Sequence, residues 1–183
     1  GMEMRYRTFQ ALRKRLKIPL YVDLHSIFLG FKQNGERFYL RNRDWSHWHE
    51  SGDIVQMNRT EAQILAGRTF EGDGECIEFG KYLLEKGAKI VLITKGSEGV
   101  LVLWESGKRL LDKSIPAYRY GNSREPTGCG DVFSSAYVYR HLQGADPPEA
   151  AGFACKVAGI RAAHGSSAEL HNLRKILEEK TLI

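Results

Sequence analysis

Between Gly87 and Gly96 lies Lys89-Ile90-Val91-Leu92-Ile93-Thr94, a run so nearly all apolar that neither face of a strand built from it can be left to water. A strand buried on both faces belongs in the middle of a parallel sheet that is covered by helices. The neighbouring sequence fits that demand. A helical pattern of Cys76, Ile77, Phe79, Tyr82, Leu83 and Leu84 precedes the run and closes at Gly87, the residue type that ends helices most readily. Upstream, Asp53-Ile54-Val55-Gln56-Met57 reads as a second strand that runs straight into Asn58. Glu61, three residues on, has the spacing of a capping box, and the helix over 60–66 should end near Gly67. Leu20-Tyr21-Val22 reads as a short buried strand ending at Asp23, after an amphipathic helix over 4–16 that carries Met4, Phe9, Leu12 and Leu16.

The polar, aromatic-rich stretch that follows, to about Glu50, is expected to form a loop or weak hairpin, then a short helix whose Trp45 and Trp48 pack on the body. After residue 99, Val100 to Trp104 and Lys108 to Leu111 flank a Ser106-Gly107 turn, which predicts a β-hairpin on the edge of the sheet. The remainder reads as helical: 131–143, ended by Gly144; 147–164, rich in alanine; and a charged tail over 168–180. Strands alternating with helices predict an α/β fold, an open and mostly parallel Rossmann-like sheet in three layers with an edge hairpin. Ligands of such sheets bind beyond the carboxyl ends of the strands. Asp23, Asn58 and Thr94 each stand at such an end.

Composition narrows the function classes. A length of 183 residues is one ordinary domain or a large part of one, and 42% hydrophobic with 27% charged residues is a globular composition. The net charge of +5 is spread and interleaved with acids, so a solvated surface is expected rather than a nucleic-acid interface. No apolar run reaches membrane-spanning length and no signal-peptide pattern is present, so no membrane partner is expected. Cys76, Cys129 and Cys155 are far apart with no Cys-x-x-Cys spacing; a reducing, cytoplasmic setting fits them better than disulfides or structural zinc. His47 and His49 alternate like metal ligands but have no third ligand nearby, and a packing or solvated role is expected.

Chemistry concentrates in Thr127-Gly128-Cys129-Gly130-Asp131. Two glycines flank a small residue, and an acid follows where the apolar helical pattern of Val132, Phe133, Ala136 and Tyr137 begins. Glycine lets the backbone approach a ligand, and the first turn of a helix leaves N–H groups that attract negative charge. A carboxylate beside an oxyanion site suits a general base that takes a proton from an attacking hydroxyl. The plainer reading is a turn with an acidic helix start.

Four motifs taken in order resemble the ribokinase-like (PfkB) family of carbohydrate kinases. They are the strand ending in Asp23-Leu24-His25, the pair Asn58 and Glu61, the loop Thr94-Lys95-Gly96-Ser97-Glu98-Gly99, and Glu125-Pro126-Thr127-Gly128-Cys129-Gly130-Asp131. The resemblance covers nearly the whole chain from about residue 15 and implies one ribokinase-like kinase domain, its C-terminal portion, over 1–183. It implies an ATP-dependent enzyme that moves the γ-phosphoryl group to an alcohol of a sugar or related small molecule. Asp131 would be the base, and the backbone of Gly128, Cys129 and Gly130 the anion hole. Thr94, Gly96, Ser97 and Gly99 would bind the nucleotide. Asn58 and Glu61 would organise magnesium through water, and Asp23 and His25 would lie on the acceptor side. ATP and Mg2+ are the implied cofactors, with a monovalent cation left open.

Departures from the family pattern are few: Glu125 and Pro126 for Asp and Thr, Cys129 for Ala, and Arg59 after Asn58 where a Glu is common. Arg59 could weaken metal organisation or simply face solvent. The family's N-terminal part, with much of the sugar pocket and the lid, has no counterpart in these residues. A homodimer or a second chain supplying that part is therefore one expectation. A catalytically silent module that holds a nucleotide or docks on a partner is the other. Asn58 and Glu61 also stay readable as a capping box alone, and 94–99 as a strand-to-hairpin turn.

Overall fold

Three strands form the parallel heart of a sheet in the computed structural model, which describes residues 6–25, 29–39, 52–121 and 127–164, together with residue 178. They are β1 (Tyr21–Asp23), β4 (Ile54–Asn58) and β5 (Ile90–Thr94). β1 lies parallel to β4 with Asp23 opposite Gln56, and β4 lies parallel to β5 with Asn58 opposite Thr94. β6 (Val100–Ser106) and β7 (Arg109–Ile115) complete a five-stranded sheet in the order β1-β4-β5-β6-β7. The Glu105 N–H donates to Lys89 O beside the start of β5, so β6 runs back against it. β5 is the central strand, and its first four residues are buried in succession, so both faces of the sheet are covered there.

β2 (Leu29–Phe31) and β3 (Arg37–Tyr39) pair antiparallel as a separate hairpin. The tryptophans at 45 and 48 and the histidines at 47 and 49 lie outside the described residues, as does the expected tail helix over 168–180 apart from residue 178. The helices are α1 (Tyr6–Arg15), α2 (Arg59–Ala66), α3 (Asp73–Glu85), α4 (Cys129–Leu142) and α5 (Pro147–His164). Among the described residues no helix is long and apolar enough to cross a membrane.

The chain divides into two compact units, residues 1–95 with 101–113, and residues 96–100 with 114–183. In the first, Phe9 of α1, Ala62 and Leu65 of α2, and Cys76, Phe79, Leu83 and Leu84 of α3 form one core with Val22, Val55, Met57, Val91, Ile93, Leu101 and Leu103 from the strands. The strand residues are two apart, as one face of a sheet requires. Each leucine so buried stabilises the fold by about 2 kcal/mol. In the second unit α4 buries Phe133, Ala136 and Tyr137, and α5 buries Ala150, Ala151, Ala154, Val157 and Ile160, where small residues let helices approach closely.

Burial in the second unit also sets a response to alkali. The Cys155 thiol is pushed up to about 11 by burial, and burial, then Asp146, pushes the Tyr137 phenol up as well. A pKa raised on folding means that the unfolded chain loses its proton first. The contribution is therefore complete below about pH 9, the ordinary thiol range, and is lost as pH rises toward 11. Urea midpoints should hold up to pH 9 and then fall, with Cys155 accounting for on the order of 2 kcal/mol. A Cys155→Ala variant that kept the same alkaline slope would refute this.

Candidate active site

At the carboxyl ends of β1 and β4 the first unit carries a chain of hydrogen bonds that runs through polar side chains and the His25 backbone N–H. Tyr21 OH donates to Gln56 Oε1, and Gln56 Nε2 donates to Asp23 Oδ2 at 2.9 Å. Asp23 Oδ1 accepts from the His25 N–H at 3.0 Å, and the His25 ring Nδ1 meets Glu61 Oε1 at 2.5 Å. Glu61 Oε2 accepts from the Asn58 N–H at 2.7 Å while Asn58 Oδ1 accepts from the Glu61 N–H at 2.9 Å. The last two bonds are the capping box that the sequence predicts, and they start α2 immediately after β4. Glu61 is only 1% exposed. A buried carboxylate must be fully partnered to be tolerated, and both of its oxygens are.

A second polar group adjoins the end of β5. Lys95 Nζ, its side chain 5% exposed, pairs with Asp73 Oδ2 at 2.6 Å, and Arg59 Nη2 reaches Asp73 Oδ1 at 2.9 Å. Arg59 is thus committed to the first residue of α3 and does not simply face solvent. Thr94 is half-buried, and its Oγ1 donates to Met57 O at 3.5 Å, the outer limit of a hydrogen bond.

Each Glu61 oxygen meets one hydrogen-bond partner, His25 Nδ1 on one side and the Asn58 N–H on the other, and keeps a further lone pair that could accept from a metal-bound water. Among the described residues no cluster of three or more His, Cys, Asp or Glu side chains has the shape of a metal site.

In the second unit, Gly96–Glu98 form a single 3-10 turn, closed by the Gly99 N–H donating to Gly96 O at 3.1 Å. Gly96 and Ser97 are exposed, whereas Gly99 is buried. Gly128 caps α4 with φ +79 and no side-chain hydrogen bond. A Gly128 side chain would be strained by that φ, and the N–H groups of the first turn are left without the usual capping oxygen. Asp131 lies in that first turn and is exposed; its backbone carbonyl accepts from Ser135 Oγ at 2.9 Å. Its carboxylate forms no hydrogen bond or ion pair with the described residues. The Cys129 thiol donates to Ala158 O at 3.8 Å, a contact that alanine at this position would not make.

Within the first unit the structure brings Asp23, His25, Asn58 and Glu61 into one hydrogen-bonded chain and sets Thr94 beside Asn58 in register. Within the second it gathers Gly128, Cys129, Gly130 and Asp131 at one helix start. Gln56, Lys95 and Asp73 were not anticipated. Gln56 left a visible signal, an amide among the apolar residues Ile54, Val55 and Met57. Lys95 and Asp73 left none, being 22 residues apart.

Comparison with known proteins gives consistent results. The profile of the pfkB family carbohydrate kinases matches residues 32–172. The chain is 27% identical over 142 residues to a deoxyribokinase of Salmonella typhi, an alignment covering 75% of this chain and 44% of the enzyme. It spans less than half the length of the curated relatives it matches. Among solved structures, a pyrophosphate-dependent myo-inositol kinase aligns with a TM-score of 0.71 at 21% identity, over 97% of this chain and 59% of that one. Arabidopsis thaliana ribokinase complexed with ribose and ATP aligns with a TM-score of 0.64 at 21% identity, over 86% and 45%. These likenesses establish a ribokinase-type α/β fold.

Proposed function

This chain belongs to the pfkB family of carbohydrate kinases, and from that premise we propose that it transfers the γ-phosphoryl group of ATP to an alcohol of a sugar or related small molecule. We read residues 1–183 as part of one such kinase domain. The observation that supports this reading best is the start of α4, where an exposed Asp131, its carboxylate unbonded to the described residues, follows a left-handed Gly128 cap that makes no side-chain hydrogen bond.

In the proposed reaction the Asp131 carboxylate takes the proton of the acceptor hydroxyl as its oxygen bonds to the γ-phosphorus. The bond from that phosphorus to the β–γ bridging oxygen breaks, and ADP leaves with the electron pair. The N–H groups of Gly128, Cys129 and Gly130 stabilise the charge on the transferring group, the main demand of phosphoryl transfer. Thr94 and the exposed Gly96 and Ser97 bind the nucleotide, with Gly99 holding that turn in place. Asp23 and His25 serve the acceptor side. Asn58 and Glu61 would hold magnesium through water, and the ion would supply charge neutralisation when bound.

Thermal unfolding of the chain with and without Mg-ATP tests the reading, because a ligand that binds the folded state raises its apparent stability. A rise that needs magnesium, with ADP formed when a sugar or related alcohol is added, is the expected result. No shift at millimolar ATP would reject nucleotide binding by these residues; a shift with no transfer to any acceptor would favour the catalytically silent module.

A further inference from the structure

Arg161, in the last turn of α5, is only 5% exposed, which is unusual for an arginine. Its Nη2 donates to Thr127 O at 3.1 Å, while its buried Nη1 has no hydrogen-bond partner among the described residues. One turn earlier in the same helix, Ala158 O receives the Cys129 Sγ. The loop that opens α4 is therefore seated on α5 at two points. α5 itself is held close to the preceding segment, since a side chain at position 159 would meet Tyr118 O at 2.0 Å.

A buried guanidinium with one donor unmatched is a poor way to stabilise a helix packed with alanines. An apolar side chain of similar volume would fill the space without burying charge. What the guanidinium does accomplish follows from the geometry of the peptide unit. In a trans peptide the C=O of one residue and the N–H of the next lie in one plane and point in opposite directions, and no cis bond occurs among the described residues. Holding Thr127 O therefore fixes the direction of the Gly128 N–H, at a glycine that has no Cβ to restrict it and sits at φ +79. A cation on the carbonyl also polarises the amide and makes that N–H a stronger donor.

We propose that Arg161 is a positioning residue, which pins and polarises the Thr127–Gly128 peptide so that the start of α4 presents its N–H groups to a phosphate-class anion. This rests on the reading of 128–130 as an anion cradle. The partnerless, nine-tenths-buried Nη1 is the independent sign that this charge is retained for something other than stability.

The test follows the amide signals of Gly128, Cys129 and Gly130 in the whole chain while inorganic phosphate is titrated in, for the wild type, Arg161→Met and Arg161→Gln. Phosphate should move all three signals in the wild type. Arg161→Met should weaken phosphate binding at least tenfold while its melting temperature holds or rises, a split that a merely structural arginine would not give. Arg161→Gln, which keeps a donor for Thr127 O but not the charge, should fall between the two, and it decides the matter if the methionine variant does not fold. Phosphate affinity unchanged in the variants overturns the proposal, as does a wild type whose three amides ignore phosphate. If phosphate binds as expected but Mg-ATP supports no transfer, the kinase reading fails and the role of Arg161 stands.

Discussion

Replacing Asp131 by asparagine is expected to cut phosphoryl transfer by about 10²-fold or more while nucleotide binding changes little. The amide keeps the size and hydrogen-bonding reach of the carboxylate but cannot take a proton. Because Asp131 is exposed and its carboxylate binds no described side chain, the substitution should leave the fold intact. A loss of activity can then be read as chemistry rather than as damage. The loss should appear in kcat, with the Mg-ATP concentration for half-saturation nearly unchanged, since a base acts only on the acceptor hydroxyl. Retained turnover in the asparagine variant would remove Asp131 from the mechanism and leave its place at the helix start as a matter of capping charge alone.

Gly99→Ala should be the most damaging single-methyl change in the loop after β5. Gly99 holds φ +103, and a Cβ there would stand 2.0 Å from Ile115 O and 2.6 Å from Ala117 N. Both obstacles are backbone atoms, which cannot swing aside as a side chain does. Strain at such a φ costs about 1–3 kcal/mol by itself, and the steric conflict should raise the total to about 4 kcal/mol or more. Against a typical stability of about 5–15 kcal/mol that is enough to empty much of the folded state. Gly96 is the control, in the same loop with φ +59 and open space around its Cβ direction; alanine there should cost only about 1–2 kcal/mol. Denaturant unfolding of the two variants side by side gives the answer. Equal midpoints would show that the close approach of residues 115–117 to Gly99 is not present in solution.

Much of the fold was written in local pattern. The apolar run ending at Thr94 became the central strand, the Asn58 and Glu61 spacing became a complete capping box, and the alanine-rich stretch became α5 with the limits expected of it. The shortfalls have physical causes. α3 begins at Asp73 rather than near Cys76 because its first turn is polar, with Glu75 accepting from the Glu71 and Gly72 N–H groups. β7 runs on to Ile115, beyond the apolar residues that mark it, because an exposed edge strand needs no buried side chains and so shows no alternation.

The candidate site was legible in its residue types but not in its connections. Nothing local tells His25 that its ring will meet a carboxylate 36 positions away. Arg161 looks in sequence like any solvated arginine on a helix. Its burial depends on how α5 is seated on the loop at Thr127, a tertiary fact.

The chain of polar groups from Tyr21 through Gln56, Asp23, His25 and Glu61 to Asn58 has a consequence for how this protein can change over generations. The side chains of Tyr21, Gln56 and Asp23 are bonded in series, and those of His25, Glu61 and Asn58 are tied to one another through ring, carboxylate and capping-box bonds, so substitutions within either set cannot be judged singly. Removing one side chain changes what its neighbour is bonded to, and a second change can restore part of what the first cost, which makes their effects non-additive. Lineages carrying this arrangement should therefore keep it whole or replace it in linked steps, with intermediates that are rare because they are the least fit.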